Sequence, residues 1–354
     1  APPRELANAL FVLAHSGHNP GYGPLDAITA ALQPRLGSLP GRVLTNTLWA
    51  LARLGRPPSA SWLRAAARAV AEGAREGGTL EPYQLAFAFG SLVSLGAELS
   101  AEMVDELLEA ARRSLPALGG HDVALLLNSA SRIGHVTSYS WMSDVEAHVA
   151  LRMEDYTTQE LTTVAHALAK LHHRPPAEWL SAFEAGCAER MPEFSPDNVC
   201  TLLWALVELG HAPCSEFVDR ACARVRSELP AIAPRDLVSL LACVARLQHN
   251  PGAEWLGAYL TVLQYFVPQL DGAALASVSR SLADLSVAAP DAEWWQPFCS
   301  AMARQLPSMS ARELLDAAGG LARCGVSPPA AWQEAASARA GQLHDDGALS
   351  EPDD

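Results

Sequence analysis

A large aromatic side chain returns along this chain at a fixed interval: Trp141, Trp179, Phe217 and Trp255 are each 38 residues apart. Leucine-rich stretches keep the same beat, stopping at Gly17, Gly55, Gly96, Gly134, His172, Gly210, Gln248, Ser286 and Gly325 in steps of 38, 41, 38, 38, 38, 38, 38 and 39. A period of this length belongs to stacked supersecondary units, each too small to bury its apolar face except against its neighbours. The chain therefore builds an array of repeats, where 354 residues would otherwise suggest two or three globular domains.

Each period reads as two helices. In the leucine-rich one, helix B, Val199, Leu202, Leu203, Leu206 and Leu209 fall at i, i+3, i+4, i+7 and i+10, a single buried face. Leu44, Thr47, Leu48, Leu51 and Leu54 repeat that face earlier, and Leu237, Leu240, Leu241, Val244 and Leu247 later. A small residue beside the stripe, such as Ala50, Ser129, Cys243 or Gly320, lets a neighbouring helix come close. Helix A follows, opened by Pro20, Pro58, Pro175, Pro213, Pro251, Pro290 and Pro328, since the first helical turn does not need the missing N–H. It is closed by Pro116, Pro192, Pro230, Pro268 and Pro307. Trp62, Trp141, Trp179, Trp255, Trp294 and Trp332 share their position with Met103 and Phe217, and a position that accepts any bulky apolar residue is a packing position.

The expected fold is all-α, a right-handed α-solenoid of about nine two-helix repeats over residues 4–344, with an acidic disordered tail at 345–354. Extra residues near Glu76-Gly77-Gly78-Thr79 and between Ser286 and Pro290 fall in loops and leave the stacking register intact.

Several function classes drop out. The longest apolar run, Leu256–Val267, is too short to cross a bilayer, so no membrane insertion is expected. Seven scattered cysteines without a CxxC pair suit a reducing compartment and give no metal site. His15 with His18, and His166 with His172 and His173, lack a partner cysteine or carboxylate at ligand spacing. No dinucleotide or phosphate-binding glycine loop and no nucleophile elbow occurs, so neither enzyme activity nor a cofactor is expected. Ala1 opens the chain without methionine, which points to a processed form or a piece of a longer protein.

The words Pro175-Pro176-Ala177-Glu178-Trp179, Pro328-Pro329-Ala330-Ala331-Trp332, Pro57-Pro58-Ser59-Ala60-Ser61-Trp62, Asn250-Pro251-Gly252-Ala253-Glu254-Trp255 and Pro290-Asp291-Ala292-Glu293-Trp294 accompany a Leu-Trp-Ala-Leu-x-x-Leu-Gly helix at Leu48–Gly55 and Leu203–Gly210. With the 38-residue period, this vocabulary resembles the octotricopeptide repeats over nearly the whole chain. The resemblance implies an α-solenoid imported into a chloroplast or mitochondrion, where it binds single-stranded RNA and acts in its stability, processing, splicing or translation. Leu99 and Thr137 depart from the pattern, standing where the opening proline belongs.

An RNA strand would need an exposed helix face. On helix B the positions i, i+4, i+7 and i+11 lie opposite the leucine stripe, as in Arg42, Asn46, Trp49 and Arg53. Over nine copies this ladder holds ten cations and four carboxylates, a balance of +6 in a chain whose total is −14. Its candidate phosphate contacts are Arg42, Arg53, Arg132, Lys170, Arg235, Arg246, Arg280, Arg312 and Arg323. Candidate base contacts are Asn46, Tyr83, His121, Asn128, Gln159, Thr163 and Ser239, with Phe11, Trp49 and Trp204 as further stacking surfaces. Cations in a last helical turn also complement the helix dipole, so a merely solvated face is the plainer alternative. Two readings result: an RNA-binding protein that selects sequence, or a scaffold in an organellar ribosome or similar assembly, touching rRNA and protein without reading sequence.

Overall fold

The computed structural model describes residues 2–75, 77–285 and 292–345. Among them the chain forms α-helices and short 3-10 segments, without a strand, in two units, Ala1–Gly186 and Cys187–Asp354. The first holds α1 (Pro3–His15), α2 (Tyr22–Leu32), α3 (Gly41–Arg53), α4 (Ala60–Gly73), α5 (Pro82–Ser94), α6 (Ala101–Arg113), α7 (Gly120–Arg132), α8 (Tyr139–Arg152), α9 (Thr158–Lys170) and α10 (Ala177–Glu189), within which the division falls. The second holds α11 (Pro196–Glu208), α12 (Ser215–Arg226), α13 (Pro234–Arg246), α14 (Ala253–Phe266), α15 (Gly272–Asp284), α16 (Ala292–Gln305), α17 (Ala311–Arg323) and α18 (Ala330–Asp345). Odd-numbered helices are the leucine-rich B helices and even-numbered ones the A helices, so each unit is an α-solenoid of stacked pairs, as the period predicts. Residues 346–354, expected as a tail, lie outside the described residues.

The B helices stop where the backbone turns left-handed, at Gly17, Gly55, Gly96, Gly134, Gly210 and Gly325, and also at His172 (φ 53°) and Gln248 (φ 51°). The next N–H then bonds back to the last turn, as from His18 to Leu13, Arg56 to Leu51 and His249 to Val244, at 3.0, 3.2 and 3.1 Å. Ser286, expected to end α15 in the same way, lies outside the described residues.

The prolines act one step away from where the sequence suggests. Pro58 and Pro213 precede the N-caps Ser59 and Cys214, so they set an extended approach to α4 and α12 and do not occupy the first turn. The cap itself is made by Ser59, Ser100 and Ser138, whose hydroxyls accept the N–H of Trp62, Met103 and Trp141. Pro290 lies outside the described residues. Likewise Pro116, Pro192, Pro230, Pro268 and Pro307 sit inside a single 3-10 turn that follows each A helix. The residue before each, Leu115, Met191, Leu229, Val267 or Leu306, is buried and pins that turn to the core.

Inside each unit, consecutive B helices pack most extensively on one another, from α1 through α9 and from α11 through α17, while the A helices meet each other more sparsely. The leucine stripe is buried: Val199, Leu202, Leu203 and Leu206 on α11, and Leu237, Leu240, Leu241 and Val244 on α13. Small residues permit the approach. A Cβ on Gly320 of α17 would stand 2.6 Å from the carbonyl carbon of Ser279 on α15. The tryptophan anchors are packing residues, with Trp62, Trp141, Trp255, Trp294 and Trp332 buried and Trp179 half-buried on Phe183. Four of them also donate the indole N–H to a backbone carbonyl of the preceding A helix: Trp62 to Thr29, Trp179 to Glu146, Trp255 to Cys222 and Trp294 to Leu260, at 2.8 to 3.0 Å.

Candidate nucleic-acid interface

Within each unit, a B helix that lies between two others has one face on its A helix and two flanks on its B neighbours, which leaves the fourth face for the ladder. Its first and last positions are exposed in every B helix, from Arg4 and His15 on α1 to Arg312 and Arg323 on α17. The middle two are mostly half-buried, as with Asn46 and Trp49, Thr163 and His166, or Ser239 and Ala242. Such a strip presents charge at its rims and polar or aromatic groups between them.

The two units differ in what that strip carries. In unit 1 the ladder has five cations, Arg4, Arg42, Arg53, Arg132 and Lys170, all exposed, and no carboxylate. Among the described residues Arg42 and Arg53 have no ion-pair partner. Arg53 lies over the Trp49 ring, 5.8 Å from its centroid, and Arg132 donates to Ser94 Oγ at 3.0 Å. Asn46 and Asn128 keep their side-chain amides without a hydrogen-bond partner among the described residues. Tyr83 is exposed, its hydroxyl accepting from Gln84, and His121 stands 3.8 Å from Glu160. Gln159 and Thr163 partly satisfy each other, and the Thr163 hydroxyl donates to the Gln159 carbonyl at 2.8 Å. Aromatic groups pair along the strip, Phe11 with Trp49 at 5.3 Å and Phe87 with His121 at 5.4 Å between centroids.

In unit 2 the ladder has five cations and four carboxylates, and they find one another. Arg246 pairs with Glu208, Arg323 with Asp284 at 2.7 Å, and Arg280 and Arg312 share Asp316 at 2.9 and 3.4 Å. Arg235 stands beside Asp236 in the first turn of α13, and Ser239 lies within hydrogen-bonding reach of the buried Cys243 thiol. The expected positive ladder therefore does not extend through unit 2, because ladder carboxylates on the neighbouring B helix, or for Arg312 on its own helix, neutralise four of its five cations.

Residues 130–292, less than half of the chain, match the family model described as "Tbc2 translation factor, N-terminal domain". No curated protein matches. Among solved structures, a circular tandem repeat protein with a novel repeat topology and enhanced subunit contact surfaces is 15% identical, covering 98% of this chain and 96% of its own, with a TM-score of 0.29. Among the described residues no helix is long and apolar enough to cross a membrane.

A second periodic set escaped the sequence reading. One residue past the left-handed stop, Arg56, His135, His173 and His249 reach a carboxylate on the preceding A helix: Asp26, Asp105, Glu146 and Asp219. His173, grouped above with His166 and His172, thus belongs to an inter-repeat pair. Its signal was visible as the recurrence of histidine or arginine directly after six of the nine stops. The A-helix acids are engaged as well, and the guanidinium of Arg112 on Glu109, like that of Arg226 on Glu254, holds each carboxyl below the usual range.

Proposed function

We propose that this protein binds single-stranded RNA along its B-helix ladder, at about one nucleotide per repeat, and serves the translation, stability or processing of that RNA inside a chloroplast or mitochondrion. The observation that carries the reading is the composition of the unit 1 ladder, five exposed cations and no carboxylate among its positions, in a chain of net charge −14. The partial match to a translation factor domain supports the process, and the resemblance to octotricopeptide repeats supports the organelle. Arg42, Arg53, Arg132 and Lys170 would hold phosphates, Asn46 and Asn128 would read base edges, and Tyr83 would stack on a base. The role is binding, without catalysis or a cofactor.

The scaffold reading draws on unit 2, where the paired ladder leaves little charge for a phosphate backbone. Titrating salt against binding of a U12 oligonucleotide separates the two. Four phosphate contacts give a slope of log K against log salt of roughly −2.8 for a single strand. Replacing Arg42, Arg53 and Arg132 with Ala is expected to weaken binding and flatten that slope by about 2, whereas alanine at Arg246, Arg280 and Arg323 changes it less. A wild-type protein that ignores RNA at low salt yet co-purifies in a stable assembly would establish the scaffold instead.

A further inference from the structure

We propose that unit 1 contains a slot for one unstacked purine base, an inference that rests on the RNA-binding function proposed above. The third rung of the ladder carries Trp49 on α3 and Asn128 on α7, but on α5 it is Gly90. Without a side chain on Gly90, Leu125 of α7 settles onto α5, and beside the two lies a cavity of about 370 Å³, within the range of small-ligand sites.

The walls of this cavity are chemically uneven in a way that suits a nucleotide. Trp49 from one side and Phe87 with His121 from the other offer aromatic faces, and all three belong to different helices. Gly90 is the floor, buried, with Leu125 packed over it so closely that a Cβ there would meet its Cδ1 at 2.8 Å. At the mouth, Arg53 is held over the Trp49 ring, and Arg132 is tied to Ser94. A base would take the aromatic interior while the phosphates on either side of it meet the two guanidiniums. The two-ring surface of a purine covers more of these faces than a pyrimidine does, and stacking strength is what gives sequence-tolerant sites their base preference. An apolar peptide side chain would leave both cations unused.

The test compares U12 with the same strand carrying one central adenine, using the full chain at low salt and fluorescence anisotropy. The wild type is expected to bind the adenine strand about three- to tenfold more tightly, the gain of a purine face over the uracil it replaces. Gly90→Asn, whose side chain must push Leu125 away from α5 and into the cavity, is expected to bring the two strands to parity. Trp49→Leu, which removes one wall, is expected to do the same, and circular dichroism checks that both variants remain helical. Equal affinity of the wild type for both strands, or an adenine preference that survives in both folded variants, overturns the slot and leaves the RNA-binding function standing. Failure of the wild type to bind either strand overturns that function itself.

Discussion

His172 and Gln248 occupy backbone that six glycines occupy elsewhere, and both side chains are exposed, so nothing at these sites compensates the left-handed conformation. A non-glycine residue there costs about 1–2 kcal/mol, while glycine loosens the unfolded chain by roughly 0.5–1 kcal/mol. His172→Gly and Gln248→Gly should therefore each stabilise the protein by about 0.5–1 kcal/mol, read as a higher urea midpoint. Thiol chemistry follows burial in the same direct way. Desolvation pushes Cys222 and Cys243 up to about 12 and Cys200 higher still, so at pH 8 all three stay protonated as well as shielded. Cys214, which is exposed, should label first with a thiol reagent, and early loss of more than one or two thiols would contradict the packing described. The left-handed stops were legible because glycine and its two substitutes keep the period. The partners of His135 and His249 were not, because a 38-residue period aligns equivalent residues, whereas each contact spans 30.

At the scale of the helix, neighbouring glycines in α17 make opposite demands. Gly320 faces the backbone of α15 at a distance no side chain tolerates, while Gly319 is exposed with open space around it. Gly320→Ala is expected to cost about 1–3 kcal/mol by forcing the two helices apart, and Gly319→Ala to stabilise by up to about 1 kcal/mol through helix propensity. Thermal melts of the two variants should shift in opposite directions. The leucine stripe and its small flanking residue announced the B helices and their close approach. The ends of the A helices were harder to place, because a proline marks both the residue before an N-cap and the 3-10 turn beyond a helix, and only hydrogen bonding distinguishes those from a first or last turn.

For the molecule as a whole, the ladder total of +6 is legible in the sequence, but it divides into +5 in unit 1 and +1 in unit 2. Three of the four pairs that cancel charge in unit 2 join consecutive B helices, Arg246 and Glu208 being 38 residues apart, Arg323 and Asp284 39, and Arg280 and Asp316 36. Opposite signs one period apart were thus on view, but pairing them requires knowing that those rungs touch. Replacing Glu208 with Gln and Asp284 and Asp316 with Asn should release four arginines, raise affinity for U12 and steepen its salt dependence; an unchanged slope would show that unit 2 stays off the RNA. The indole clasps carry a different consequence. Each tryptophan that donates to the preceding A helix finds its acceptor 33 or 34 residues back, so the indole N–H of every such repeat is satisfied by its predecessor. Losing or duplicating one full period would present each indole with an equivalent carbonyl, whereas losing half a period would orphan one. Natural variation can therefore lengthen or shorten such an array in whole repeats, with the joints between them already made.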